Sequence, residues 1–286
     1  MNRAVWHGGE FALRLLLMLL LGFELAACST PLERQIRDNN LQQSVRTGTT
    51  YDHLVLSSRS RPDGGSLHVY IEGDGRPWID GLRPADDPTP KHMLALELML
   101  LDDAASVYVG RPCYFGERAQ PACTAEDWTS GRYSDKVIAS MTKLIAELGA
   151  GGDYDGVLLF GYSGGGTIAR LVAARLPAAV AVIGVAANLD VRAWTTAHDY
   201  LPLENSLDPA LEVPLPHRVL HVQMIGGRDK VVPPSVTESY RATGQALEIW
   251  SFEGFDHRCC WVDAWPDILT RVARTVAAHE RNLASN

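Results

Sequence analysis

The sequence predicts an α/β fold with a mostly parallel central sheet, helices on both faces and a short lid insertion. Two observations carry that expectation. Short, continuously apolar runs alternate with amphipathic segments through most of the chain, and one strand-to-helix junction carries the glycine-rich stretch GYSGGG at 161–166. Continuous rather than alternating hydrophobicity marks strands buried on both faces, and burying both faces takes helices on both sides.

In order, YDHLVLSS and SLHVYIE read as β-runs separated by the turn-forming RPDGG, and they suggest an antiparallel edge. KHMLALELML then reads as a helix, ASVYVG as a strand and SDKVIASMTKLIAEL as an amphipathic helix. DGVLLFG is a strand, GTIARLVAARL a helix and AAVAVIGVAA a strand. RVLHVQMIGG is a strand, SVTESYRAT is helical, ALEIWSF is a strand, and WPDILTRVARTVAAHERNL closes the chain as a helix. Residues 191–217 interrupt the rhythm with four prolines and weak periodicity. A connection that long is usually functional, and it reads as a lid over a site.

Gly161-Tyr162-Ser163-Gly164-Gly165 matches G-x-S-x-G between a strand and a helix, the context that motif requires. The glycines have a physical reason. The turn is so tight that side chains two residues either side of the serine would collide, and the serine takes a strained backbone conformation. A phosphate loop would need lysine after its last glycine, where Thr167 stands. A dinucleotide fingerprint would need glycine in place of Ser163. A structural glycine-rich turn remains the plain alternative.

With two later loops added, the chain resembles the α/β-hydrolase superfamily over nearly everything after about residue 50. Arg228-Asp229-Lys230-Val231-Val232-Pro233, after RVLHVQMIGG, is similar to the family's acid loop, and Glu253-Gly254-Phe255-Asp256-His257, after ALEIWSF, to its histidine loop. The resemblance implies a serine hydrolase with nucleophile Ser163, base His257 and acid Asp229, in the family's order along the chain. A serine hydroxyl needs a base titrating near neutrality, and the acid holds the imidazole tautomer and stabilises the imidazolium. Asp190, in NLD after AAVAVIGVAA, is the rival acid.

The first oxyanion donor is then the backbone N–H of Gly164, at a helix N-terminus. By the family's pattern the second comes from the loop after SLHVYI, here Glu72-Gly73-Asp74-Gly75-Arg76-Pro77-Trp78, with glutamate where histidine is common. The backbone N–H of Asp74 is the expected donor and Gly73 the alternative. Two carboxylates so close to the site suggest that strongly anionic substrates are disfavoured. Trp128, Trp194 and Trp261 are candidate pocket walls, although buried tryptophans more often serve packing.

The first 27 residues carry Arg3, an apolar run from Leu15 to Leu21 and small residues before Cys28, the layout of a signal peptide. That run is far shorter than the ~20 residues of a spanning helix. Leu25-Ala26-Ala27-Cys28 resembles the bacterial lipobox, which implies lipid attachment at Cys28 and an outer-membrane lipoprotein facing the periplasm; plain cleavage after Ala27 is the alternative. The expected organisation is a signal peptide at 1–27, a polar tether at 28–49 and the hydrolase domain at 50–286, with the lid at 191–217. In an oxidising compartment the other four cysteines favour disulfides. Cys113–Cys123 is the natural first pair, which leaves Cys259–Cys260 to pair with each other or stay free. A metal site of His257, Cys259 and Cys260 is the competing reading, but no second ligand pair has zinc-like spacing.

A net charge of −8 with no basic cluster argues against nucleic acid. The expectation is an exported, membrane-tethered hydrolase that cleaves a carboxylic ester, thioester or amide in a small-molecule acyl substrate, with no cofactor and no metal. The alternative is a non-catalytic envelope lipoprotein that uses the fold as a binding module.

Overall fold

The computed structural model describes residues 30–58, 64–116 and 120–285. The signal peptide and Cys28 lie outside the described residues. The segment before Asn40 forms a unit by itself. Its helix α1, Pro31–Asp38, starts on a capping box. Thr30 Oγ1 accepts from the Glu33 amide at 3.2 Å, and the Glu33 carboxylate accepts from the Thr30 amide at 2.7 Å.

The second unit, from Asn40, is built on an eight-stranded sheet in the order β1-β2-β6-β3-β7-β8-β9-β10. The strands are β1 Gln42–Thr47, β2 Asp52–Ser57, β3 Ser66–Ile71, β6 Ser106–Val109, β7 Gly156–Tyr162, β8 Ala179–Val185, β9 Leu220–Gly226 and β10 Glu248–Phe252. Two-residue strands β4 (Trp78–Ile79) and β5 (Arg83–Pro84) pair in a small separate ribbon. From β6 to β10 across the sheet every pair is parallel. Within this sheet the antiparallel pairs are β1 with β2 and β2 with β6.

Two expectations need correction. Residues 42–47 are not tether but edge strand β1, so the domain begins at Asn40 rather than residue 50. All six β1 residues, QQSVRT, are exposed, so no apolar pattern announces the strand. The two early β-runs also do not pair with each other. The strand β6 lies between β2 and β3, so the antiparallel edge is made by β1 and β2.

The sheet is covered on both faces because successive side chains point to opposite sides. Leu159 of β7 joins the core with Ile138 and Leu144 of α3 (Asp135–Ala150) and Ile168 and Val172 of α4 (Gly164–Ala173). Its neighbour Phe160 points the other way, stacking on Tyr70 at 4.6 Å and meeting Trp265 of the terminal helix (Trp261–Ala284) at 5.8 Å. The remaining helices are α2 (Leu94–Met99), α5 (Val191–Ala197) and α6 (Pro234–Ala242), which makes the terminal helix α7. Parallel strands bring the loops after β3, β7, β9 and β10 to one edge of the sheet, where α/β proteins bind ligands.

Candidate active site

The turn after β7 places Ser163 at φ 51° and ψ −123°, a conformation costly for any residue with a Cβ. The flanking glycines make it possible. A Cβ on Gly161 would lie 2.5 Å from the Gly165 carbonyl carbon, and one on Gly165 would lie 2.6 Å from the Glu72 carbonyl oxygen. Strand, turn and helix approach too closely for side chains there.

Three residues far apart in sequence meet at this turn. His257, in the loop after β10, lies with Nε2 3.1 Å from Ser163 Oγ, and its Nδ1 is 2.8 Å from Asp229 Oδ2. With Nδ1–H donating to the carboxylate, Nε2 is free to accept from the serine hydroxyl. The other oxygen, Asp229 Oδ1, accepts from the amides of Val231 and Val232 at 2.8 and 2.9 Å, which fixes the carboxylate plane. Asp190, the rival acid, faces elsewhere: it caps α5 by accepting from the Ala193 amide at 2.8 Å and takes the Ser239 hydroxyl at 2.6 Å.

The histidine loop is braced from several directions. Asp256 Oδ1 accepts from the amides of Arg258 and Cys259, both at 2.8 Å, and the Asp256 amide donates to the Cys259 carbonyl at 3.0 Å. Trp261 Nε1 donates to the Asp256 carbonyl at 3.2 Å. The acid loop is tied to the same segment through the Arg228 amide, which donates to the Phe255 carbonyl at 2.9 Å. Cys113 is joined to Cys123, and Cys259 to Cys260. Since Cys259 and Cys260 are bonded to each other and both nitrogens of His257 are engaged, these three do not form a ligand set. Among the described residues no group of three or more His, Cys, Asp or Glu side chains gathers as a metal site.

The loop after β3 faces Ser163 across the turn. The Gly73 amide is taken by Glu72 Oε1 at 3.1 Å, whereas no acceptor within the described residues takes the Asp74 amide. The Asp74 carboxylate lies beside Gly164 and is held in a cationic and phenolic cluster. It pairs with Arg111 through Oδ1, and its Oδ2 accepts from Arg132 Nη1 at 3.0 Å and from the Tyr133 hydroxyl at 2.7 Å. The Tyr114 hydroxyl donates to the Asp74 carbonyl at 3.0 Å, so backbone and side chain are both anchored. Burial alone would raise this carboxyl, but Arg111 and Arg132 outweigh it and hold it at about 2. Glu72 behaves oppositely: burial pushes it up to about 8, although the amides of Gly73 and Ala95 favour its ionised form.

Neither carboxylate therefore acts as a free negative charge at neutral pH, and the reason for expecting anionic substrates to be disfavoured is gone. The arginines and tyrosines of this cluster escaped sequence reasoning because nothing in RPCY (111–114) or RY (132–133) marks them as neighbours of a loop some forty residues or more away. An acid next to the motif's glycines was the one available hint.

A cleft of about 1640 Å³ opens above Ser163, its walls including Gly73, Asp74, Tyr162 and His257. Part of the segment 191–217 contributes Trp194 and residues 200–203 to the wall. Trp194 Nε1 donates to the Val231 carbonyl at 2.7 Å, and His198 Nε2 lies 2.9 Å from the same oxygen, so the segment is tied to the acid loop. Of the three candidate wall tryptophans only Trp194 lines the cleft. Trp128 and Trp261 are buried in packing.

No protein-family profile and no curated protein matches the sequence. Solved structures do match. An esterase from Pyrococcus furiosus, Pf2001, superposes with TM-score 0.57 at 11% identity, over 85% of this chain and 93% of that one. A membrane phospholipase A described as a bacterial virulence factor gives TM-score 0.57 at 14% identity, over 96% and 99%. Puromycin hydrolase gives TM-score 0.50 at 16% identity, and there the chain spans only 36% of the other protein's length. The chain has the α/β-hydrolase fold. The loops after β7, β9 and β10 carry Ser163, Asp229 and His257 respectively.

Proposed function

We propose that the protein is a serine hydrolase that cleaves a carboxylic ester through an acyl-enzyme, with thioester and amide as related substrates. One observation carries the reading: the unbroken hydrogen-bonded chain from Ser163 Oγ through the His257 ring to Asp229, 3.1 and 2.8 Å long. Its roles follow from the chemistry of each group. Ser163 Oγ attacks the carbonyl carbon as His257 Nε2 takes the hydroxyl proton. Asp229 holds the imidazole orientation and stabilises the imidazolium.

The carbonyl oxygen becomes an oxyanion facing the amides of Gly164 and Asp74, a stabilisation of the kind whose loss costs ~3 kcal/mol per donor. As the tetrahedral intermediate collapses, the proton on His257 passes to the leaving oxygen and the alcohol departs. Water then attacks the acyl-enzyme, giving a proton to His257, and the carboxylic acid leaves as Ser163 Oγ recovers its proton.

The layout of residues 1–28 supports an exported chain held to the membrane by acyl groups on Cys28. Among the described residues no helix is long and apolar enough to cross a membrane. Hydrolysis of p-nitrophenyl esters graded in acyl length tests the catalytic reading. Turnover by wild type that is lost in Ser163→Ala is expected; equal turnover by the two proteins would contradict it.

A further inference from the structure

The wall of the active-site cleft carries five exposed cations, Arg76, Lys91, Arg228, Lys230 and Arg258, in a chain whose net charge is −8. None of the five lies within ion-pair distance of a carboxylate among the described residues. The acidic side of the same wall is weaker. Asp74 is neutralised by Arg111 and Arg132, Glu72 is held up to about 8, and only Glu97 and Asp256 remain. Clustering cations at the mouth of a net acidic protein raises the local concentration of anions there.

Three of these cations share the loops that carry the base and its acid. Arg228 and Lys230 flank Asp229, and Arg258 follows His257. The positive charge of Arg258 acts on the Tyr162 hydroxyl, and the Tyr162 ring lies 5.0 Å from that of His257. Arg228 spends two donors on the Gly254 carbonyl, while the Lys230 ammonium has no partner within the described residues. This side matters because His257 hands its proton to the leaving oxygen, so the departing alcohol lies against the histidine loop.

We infer that the substrate is an acyl ester whose leaving alcohol carries an anionic group, a phosphate or a carboxylate, met by Arg228, Lys230 and Arg258. The inference rests on the serine-hydrolase reading above. The outer rim adds an apolar element, with Leu82 and Leu201 83% and 84% exposed beside the cleft, so the anionic ester can be a soluble metabolite or a lipid.

The test compares kcat/KM for matched esters. The soluble set is 1-butanoylglycerol, 1-butanoylglycerol 3-phosphate and glycerol monosuccinate, whose charge sits on the acyl side instead. A second set, 1-oleoylglycerol and its 3-phosphate in phosphatidylcholine vesicles, separates a lipid source from a soluble one. With each exposed ion pair contributing modestly, the phosphate ester is expected to exceed its neutral analogue by about tenfold at low salt. That preference should shrink as salt is added.

Lys230→Gln and Arg228→Gln should each lower the anionic-to-neutral ratio. Lys230→Gln removes a side chain with no internal partner, so it keeps the test independent of folding. A preference confined to the soluble set identifies a soluble phosphate ester, and one found in vesicles identifies a lipid. A ratio of one or below, or a preference for the succinate, overturns the inference while the hydrolase reading stands, provided a fluorophosphonate still labels Ser163. Absence of both labelling and turnover overturns both.

Discussion

Replacing Asp74 by asparagine keeps the shape of the side chain and removes the charge that two buried arginines share. Arg111 and Arg132 have side chains only 1% and 4% exposed, and the Asp74 carboxylate also accepts from the Tyr133 hydroxyl. The carboxamide offers one acceptor and turns its NH2 towards donors. Removing one partner of a buried ion pair costs about 3–5 kcal/mol, because the remaining charge stays buried. Titration supplies a second figure. A carboxyl held at about 2 instead of 3.8 stabilises the fold by roughly 2.5 kcal/mol, at about 1.4 kcal/mol per tenfold.

Asp74 keeps some exposure to the cleft, 17%, which favours the lower end, so about 3 kcal/mol is expected. That is a large fraction of the ~5–15 kcal/mol that holds a domain folded. The folded-state pKa is depressed, so this stabilisation is present above 3.8 and disappears as pH falls through about 2. Urea unfolding of wild type and Asp74→Asn at pH 7 measures it. A loss under about 1 kcal/mol would refute the claim that this cluster is held by the carboxylate. In the folded variant kcat should also fall, by at most the ~10²–10³ that a lost oxyanion donor costs, because the Asp74 amide is loosened rather than removed.

Other consequences are as direct. Asp229→Asn should lower kcat by about 10⁴, whereas Asp190→Ala, which removes the α5 cap, should cost about 1 kcal/mol of stability and leave ester turnover within a few-fold of wild type; steady-state kinetics and urea unfolding of the pair separate the two acids. Glu72 is buried with a pKa raised from 4.5 to about 8, so wild-type stability relative to Glu72→Gln should decline as pH rises through that window and level off above it, by up to roughly 5 kcal/mol. Unfolding titrations across pH 4–9 check both sign and window. Gly164→Ala would bring a Cβ to within 2.5 Å of the Tyr133 hydroxyl and into the Asp74 carboxylate, so it should reduce kcat without much change in KM.

The parts of this protein legible in its sequence are those governed by local rules. GYSGG demanded glycines on either side of a strained serine, and the close approaches at Gly161 and Gly165 are the reason. The loops after β9 and β10 were recognisable because acid and histidine each follow a strand-like run in the expected order along the chain. The Asp74 cluster was not legible: its partners come from residues 111, 114, 132 and 133, which only the folded sheet brings together. Nor was the charge state of the loop after β3, since Glu72 and Asp74 look alike in sequence but burial without a counter-ion and burial against two arginines push them in opposite directions. Strand β1 stayed hidden because an edge strand with all its side chains exposed has no apolar period to read.

Treatment of the purified protein with a fluorophosphonate, followed by intact-mass and peptide mapping, addresses the triad itself. Stoichiometric labelling on Ser163, abolished in Ser163→Ala and sharply slowed in His257→Ala, is the result predicted. A folded wild-type protein that remains unlabelled, or a label found on another residue, would contradict it.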